Sequence, residues 1–273
     1  MAPKVGILAG TGDLPLRLID ACRSQGRETF VITFEGENRN TDLSAAPGAC
    51  VHLGKVGTVY SLLRKNGCKD VIMAGRFRRP AYNELKLDLQ AAKLVPRLLR
   101  ASGDDALLRV LSDALVGQGF NVIGADSLLP SLQITDGTLG SVSPQQADLT
   151  DIGIGIDLLR TLGRFDIGQA AVVGGGRVLA IEGPEGTDAM IDRCADLDHG
   201  GGGVLIKMRK PGQDERVDLP SIGPETVRRA ARARLSGIAV EAHATLVVDR
   251  QEVVLEADRH GIFVYGFVSD GQT

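Results

Sequence analysis

The residue types best suited to catalysis are concentrated in the second half of the sequence, most densely from Lys210 to Gly223. Charges of both signs alternate there among proline and glycine residues that restrict the loop, and such loops commonly carry function. The carboxylates of Asp218 and Asp188 are candidates for holding Mg²⁺ against a pyrophosphate, while Lys207 and Arg216 could neutralise its oxygens. This is the minimum equipment for phosphoryl transfer to water, although a surface loop with internal ion pairs gives the same pattern.

The sequence Gly186-Thr187-Asp188 predicts the start of a helix. Thr187 is its predicted cap, and Asp188 would then lie in the first turn, where a carboxylate is favourable even without a function. The sequence contains no GxxxxGK[ST], HExxH or GxSxG motif, and its four histidines are isolated from one another. Carboxylates and cations must therefore carry any catalysis.

A glycine loop, Gly10-Thr11-Gly12, follows the first apolar run and precedes a helical pattern. Glycines let a backbone approach phosphate oxygens, and the next helix offers free N–H groups at its start. Pro15 stands where a dinucleotide-binding fingerprint has its third glycine, so a tight turn without a ligand remains an alternative. Glu35 follows the second predicted strand, at the position of a ribose-binding acid or of a solvated loop carboxylate.

Three arginines, beginning with Arg76, follow the predicted strand that ends at Ala74. They would emerge at the carboxyl edge of a parallel sheet, where α/β folds bind ligands, and guanidinium groups match phosphate geometry. A solubilising basic loop has the same composition.

The fold class predicted from these patterns is α/β. Apolar runs alternate with helical patterns through residues 1–132, which predicts a Rossmann-like domain with a parallel sheet; the runs lie at 4–9, 29–34, 50–53, 70–74 and 121–124. A polar stretch at 133–150 is interpreted as a linker. Residues 151–273 open with a helix at 152–162, continue with a hairpin at 170–182 and then mix strands with helices, which predicts an α+β catalytic domain.

Composition limits the function classes. The net charge of −3 gives no general reason to bind nucleic acid. No apolar run approaches the ~20 residues that span a bilayer, and the pattern favours a cytosolic protein, with peripheral attachment to a membrane surface left open. A homodimer is compatible with the sequence, which shows no interface signature.

Six ordered blocks together resemble one family along almost the whole chain, the UDP-2,3-diacylglucosamine pyrophosphatases of lipid A biosynthesis in the form unrelated to the metallophosphoesterases. The blocks are AGTGDLP, AGRFRRP, DIGQAAVV, IEGPEGTDAM, LIKMRKPGQDERVDLPSIG and GIAVEAH. One departure is Ser221, where the family pattern has threonine; both residues offer a hydroxyl group.

The resemblance implies hydrolysis of UDP-2,3-diacylglucosamine to UMP and 2,3-diacylglucosamine 1-phosphate by water, with Mg²⁺, at the cytosolic face of the inner membrane of a Gram-negative bacterium. It also implies a lipid-linked sugar nucleotide held between two domains. Asp218 is then the leading catalytic or metal-holding acid, and Asp188, Asp214 and Glu182 are further acidic candidates. Contacts with phosphate, or the orientation of water, would fall to Gln213, Arg216, Lys207 and Thr187.

Two other functions remain open at this point. An NAD(P)-dependent oxidoreductase is suggested by Gly10, Gly12 and Glu35, although Pro15 and the lack of a hydride-transfer partner count against it. A non-catalytic carrier of sugar nucleotides or lipids is suggested by a basic, amphipathic helix around 94–100 and by the cleft expected between two domains. Core packing is the simpler explanation of that apolar stripe.

Overall fold

A computed structural model describes residues 2–36, 43, 46–75, 77, 86–100, 104–197, 200–210, 216 and 219–269. The chain divides into two compact units. The first comprises Met1–Pro130 and takes in Arg216, and the second comprises Ser131–Gln213 and Leu219–Thr273. Among the described helices, none combines the length and apolar character needed to cross a bilayer.

The first unit is built on a parallel sheet of five strands in the order β3-β2-β1-β4-β5. The strands are β1 Lys4–Ala9, β2 Thr29–Phe34, β3 Gly48–Val51, β4 Cys68–Ala74 and β5 Asn121–Val122. The helices are α1 Leu14–Ser24, α2 Val56–Lys65, α3 Leu89–Leu98, α4 Asp104–Gly117 and α5 Ala125–Leu128. This strand order, with helical crossovers between parallel neighbours, confirms the predicted Rossmann-like domain.

The central strand of this sheet is buried on both faces, which explains its continuous apolar sequence. From Val5 to Ala9 every residue of β1 is buried, as expected for a parallel strand covered on both faces. A side chain at Gly6 would place its Cβ 2.3 Å from the Cδ2 of Leu63 on α2. The crossover helix therefore packs directly on the backbone of the central strand.

The second unit is built on a mixed sheet of six strands in the order β6-β13-β11-β9-β7-β8, with a separate parallel pair β10-β12. The strands are β6 Gly137–Leu139, β7 Ala170–Gly174, β8 Arg177–Ile181, β9 Val204–Lys207, β10 Ser221–Ile222, β11 Gly237–Glu241, β12 Leu246–Val247 and β13 Phe263–Phe267. The helices are α6 Gln146–Gly163, α7 Thr187–Ala195, α8 Pro224–Arg232 and α9 Arg250–His260. Helix α6 covers one face of the sheet, and α7, α8 and α9 cover the other. The predicted α+β character is confirmed.

The segment 133–150, predicted as a linker, instead contains β6 and the first turn of α6, both in the second unit. Strand β6 pairs with β13, and a Cβ at Gly266 would lie 2.1 Å from the carbonyl oxygen of Thr135. Gln145 and Asp148 form a capping box at the start of α6. The polar residues that suggested a linker therefore belong to a helix cap and an edge strand. Both of these features favour the same polar residues as a linker.

Replacing Gly266 by alanine should destabilise the second unit by about 1–3 kcal/mol, because the new methyl group must displace the backbone of Thr135. Gly153→Ala is the matched control, since a Cβ there meets nothing within 4 Å on an exposed helical position. That control should be neutral or slightly stabilising through helix propensity. Chemical denaturation of both variants measures the difference, and equal stabilities would contradict the close packing at Gly266.

Candidate functional site

The carboxyl ends of β8, β9, β11 and β13 lie along one edge of the second sheet. β9, β11 and β13 are mutually parallel, and β8 has the same direction because it is antiparallel to β7, which is antiparallel to β9. Glu182 follows β8, Lys207 ends β9 and Glu241 ends β11. All three side chains are buried. Ligands of α/β folds bind at such an edge, so these residues form the core of the candidate site.

A chain of hydrogen bonds joins Lys207, Thr187 and Glu182. The Lys207 Nζ donates to Thr187 Oγ1 at 3.1 Å, and that hydroxyl donates to Glu182 Oε1 at 2.7 Å. The same ammonium group donates to the carbonyl oxygen of Ser221 at 3.0 Å. Four separate elements, the end of β8, the first residue of α7, the end of β9 and the first residue of β10, are thus tied together at one point.

The second oxygen of Glu182 accepts a hydrogen bond from the backbone N–H of Gln169 at 2.9 Å. The turn before β7 approaches so closely that a Cβ at Gly168, which has φ of +56°, would lie 2.4 Å from the carbonyl oxygen of Glu182. Both carboxylate oxygens of Glu182 are therefore engaged by the protein. Glu182 is therefore a positioning residue: it holds the Thr187 hydroxyl group, which in turn accepts from Lys207.

Thr187 is the first residue of α7, and the residue before it, Gly186 with φ of +83°, is the N-cap. The prediction that Thr187 caps the helix is wrong, because its hydroxyl group donates to Glu182. Asp188 lies in the first turn, as predicted. The hydrogen-bonded Asp192 raises the pKa of Arg229, and the charge of Asp188 adds to this effect.

Sequence reasoning missed a second buried acid, Glu241. Its Oε2 accepts from the backbone N–H of Arg209 at 3.0 Å and its Oε1 accepts from Ser269 Oγ at 2.5 Å. The next cation, Lys210, pairs with Asp166 in the turn between α6 and β7. One feature of the sequence could have identified both acids: Glu182 and Glu241 each follow an apolar run directly.

Four predicted site residues, Asp218, Gln213, Asp214 and Arg76, lie outside the described residues. Arg216 is described and exposed. The contacts above bring together Lys207, Thr187 and Glu182, with Asp188 next to Thr187 in the same helical turn. Within the described part of the chain, no group of three or more His, Cys, Asp or Glu side chains is placed to hold a metal ion.

The glycine loop of the first unit follows β1, as predicted. The Gly10 N–H donates to the Ala74 carbonyl oxygen at 2.8 Å, and a Cβ at Gly75 would lie 2.5 Å from the carbonyl oxygen of Thr11. Gly12 is exposed with φ of +99° and open space around it. The loop is therefore held from one side by the end of β4, and its other side exposes backbone next to the start of α1, a geometry suited to an anion.

Two family descriptions match the chain: LpxI N-terminal domain over residues 4–132 and LpxI C-terminal domain over residues 135–265. The UDP-2,3-diacylglucosamine pyrophosphatase LpxI of Caulobacter vibrioides is 43% identical over 272 residues, covering 96% of this chain and 97% of that protein. These matches extend over both units.

Among solved structures, CobK precorrin-6A reductase is 12% identical with a TM-score of 0.33, covering 99% of this chain and 91% of that chain. The Bordetella bronchiseptica enzyme WbmG in complex with NAD is 15% identical with a TM-score of 0.26, covering 42% of this chain and 35% of that chain. Similarity this low carries no argument about function.

Replacing Thr187 by valine should lower the free energy of unfolding by about 1–3 kcal/mol, because Glu182 loses a donor and Lys207 loses an acceptor in a buried site. Thr187→Ser keeps the hydroxyl group and should retain most of that stability. Thermal and urea unfolding of the two variants provides the comparison. If serine and valine were equally harmful, the methyl group and not the hydrogen-bond chain would be the important feature.

Proposed function

The chain belongs to the LpxI family, and on this premise we propose that it hydrolyses the pyrophosphate bond of UDP-2,3-diacylglucosamine in lipid A biosynthesis. The observation that carries the proposal is the 43% identity to the Caulobacter vibrioides pyrophosphatase over 96% of the chain. Matches to both LpxI domains support it, since they leave neither unit unassigned. The chain is accordingly an enzyme of the phosphoanhydride hydrolase class.

Lys207 is the described residue best placed to act on a pyrophosphate. Its ammonium group is a fixed positive charge, because Thr187 and Ser221 hold it by two hydrogen bonds in a buried position. A preorganised cation stabilises the charge that develops on phosphate oxygens during transfer to water. The Lys207–Thr187–Glu182 chain therefore supplies electrostatic stabilisation, and Glu182 keeps Thr187 in place for it.

Asp218 is the proposed catalytic acid, with Gln213 and Arg216 for contacts with phosphate or for orienting water. The support is the anchoring of the loop that contains these residues. It leaves β9 directly after Lys207 and returns at Ser221, whose carbonyl oxygen accepts from Lys207. Asp218 precedes Ser221 by three residues, so covalent geometry keeps their Cα atoms within about 11 Å of each other.

Substrate contacts are also proposed for the glycine loop and for Arg76. Gly10, Thr11 and Gly12 offer backbone next to the start of a helix, which suits a phosphate group. Gly75 packs against Thr11, and Arg76 is its neighbour in sequence. A guanidinium group at that position has the geometry to bind phosphate oxygens in a bidentate manner.

Mg²⁺ is the proposed cofactor. Its ligands would be Asp218, Asp188 and Asp214, hard carboxylate oxygens of the kind that this ion prefers. Asp188 is the one described member, and its place in the first turn of α7 next to Thr187 supports the assignment. When bound, the ion would neutralise charge on the pyrophosphate oxygens.

The proposed substrate carries two acyl chains, which suggests a place of action at a lipid surface. We therefore propose that the protein works as a peripheral protein on the cytosolic face of the inner membrane of a Gram-negative bacterium. Attachment of this kind requires an apolar or basic surface and no membrane-spanning helix.

Purified protein should release UMP from UDP-2,3-diacylglucosamine, and Lys207→Met should lower kcat by about 100-fold or more through loss of the fixed charge. Asp218→Ala should abolish turnover. Product identification by mass spectrometry checks both the reaction and the variants, and distinguishes a hydrolase from a protein that only binds the substrate.

Arg177→Met is the matched control for Lys207→Met, because it removes an exposed cation from the opposite edge of the same sheet. Its activity should equal that of the unmodified protein. Unfolding curves must show that each variant remains folded. A folded Asp218→Ala protein with full activity would eliminate the proposed acid, and an absence of UMP from the unmodified protein would eliminate the reaction.

Chelation of divalent ions should reduce turnover by at least about 100-fold if a metal ion neutralises the pyrophosphate, and added Mg²⁺ should restore it. Asp188→Asn should raise the Mg²⁺ concentration needed for half-maximal rate. Metal analysis of the chelated protein provides the check on depletion. Unchanged turnover in protein shown to be free of metal would contradict the assignment.

A further inference from the structure

Helix α3 contributes little to the core of the first unit. Across residues 86–100, all of which are described, only Ala91 is buried. Leu89 is 83% exposed, Leu99 62% and Leu87 44%. Three large apolar side chains are thus exposed on one short segment, and exposed apolar surface of this kind often marks an interaction site.

The same segment is strongly basic. It carries four cations, Lys86, Lys93, Arg97 and Arg100, against one carboxylate, that of Asp88. Arg97 pairs with Asp113 at 2.8 Å. The other three cations form no ion pair with a described residue. A net charge of +3 is thus concentrated on this segment of a chain whose total is −3, which leaves −6 for the remainder.

The segment is anchored at its amino-terminal end. Asp88 accepts hydrogen bonds from the N–H groups of Gln90 and Ala91, which it caps, and from that of Gly57 in α2. Partial removal from water raises the pKa of Asp88, but backbone hydrogen bonds outweigh that effect and hold the pKa below its ordinary value. A Cβ at Gly54 would lie 2.8 Å from the Lys86 carbonyl oxygen, so the backbone there is closely packed as well. The apolar side chains therefore project from a fixed support.

We propose that this α3 surface, composed of Lys86, Leu87, Leu89, Lys93, Leu99 and Arg100, docks onto an anionic lipid bilayer. The leucines enter the boundary between headgroups and acyl chains, while the three cations contact lipid phosphates. A second copy of the chain is a poorer occupant, since a symmetric contact would bring the same cations together. The inference rests on the proposed function only in that a diacylated substrate gives the enzyme a reason to bind a membrane.

The test is co-sedimentation with vesicles of phosphatidylcholine alone and of phosphatidylcholine mixed with phosphatidylglycerol. The unmodified protein should bind the anionic vesicles and bind the neutral ones much more weakly. The double variant Leu89→Ser/Leu99→Ser should bind the anionic vesicles about tenfold more weakly, and Lys93→Gln/Arg100→Gln should lose most of the preference for anionic lipid.

Matched controls come from the second unit. Leu255→Ser removes a leucine that is 63% exposed on α9, and Arg177→Gln removes an exposed cation. Both should bind vesicles as the unmodified protein does. All α3 variants should hydrolyse substrate dispersed in detergent micelles at the unmodified rate, which separates this inference from the proposed function.

Three results would overturn the proposal: no binding of the unmodified protein to anionic vesicles, an equal loss of binding in the Leu255→Ser control, or a dimer in sedimentation velocity that Leu89→Ser/Leu99→Ser dissociates. Vesicle binding that depends on α3 in a protein without hydrolase activity would support the surface and remove only the proposed reaction.

Discussion

The burial of the Lys207 ammonium group is the constraint on which the candidate site depends. A charged group removed from water is costly unless it is hydrogen-bonded, so Thr187 and Ser221 must stay within reach of its Nζ. The Thr187 hydroxyl in turn requires an acceptor for its own hydrogen, which Glu182 supplies. Four chain segments between residues 182 and 221 are positioned by this one requirement, and both ends of the loop between Lys207 and Ser221 are fixed by it.

The two buried glutamates at the sheet edge, Glu182 and Glu241, are stabilised by the same kinds of hydrogen bond. Glu182 accepts from the N–H of Gln169 and the hydroxyl of Thr187, and Glu241 accepts from the N–H of Arg209 and the hydroxyl of Ser269. Each binds one backbone amide and one hydroxyl group. Loops at a sheet edge carry N–H groups without strand partners, and a buried carboxylate satisfies them while fixing their position. An active site built there gains a rigid frame, which lowers the cost of organising it around an anionic substrate.

The sequence was sufficient to predict elements whose apolar pattern is strong and local. The apolar runs of β1, β2 and β4 reflect burial on both faces of the sheet, and their alternation with helical patterns predicted the order of elements in the first unit. Strand β6 has no such pattern, because its three residues are only partly covered and pair with β13, more than 120 residues later. Its membership of the second sheet depends on Gly266 admitting the Thr135 carbonyl, a long-range contact that local periodicity does not contain.

The same distinction applies to the candidate site. Residue types predicted Lys207 as functional, and the family resemblance added Thr187 and Glu182, but the division of their roles depends on which atoms meet. Glu182 was predicted as a further acidic candidate for catalysis or metal binding, and the structure shows that both of its oxygens hold Gln169 and Thr187. Glu241 was missed since a single acid after an apolar run is also typical of a solvated strand end. Hydrogen-bond partners that are 5 to 32 residues apart decide between these interpretations.

An acidic protein can still bind an anionic bilayer through one basic segment. The α3 surface and the candidate site both contain cations, but the two sets are held differently. With a net charge of −6 outside residues 86–100, the rest of the chain has no overall attraction to an anionic bilayer, and the α3 segment combines its net charge of +3 with exposed leucines. Binding through that segment therefore selects an orientation, which a uniformly basic protein of the same size would not do. The cations of the candidate site are held differently: Lys207 is buried, Lys210 is partly buried, and their partners are Thr187, Ser221 and Asp166. Cations fixed in this way cannot reach out to lipid phosphates.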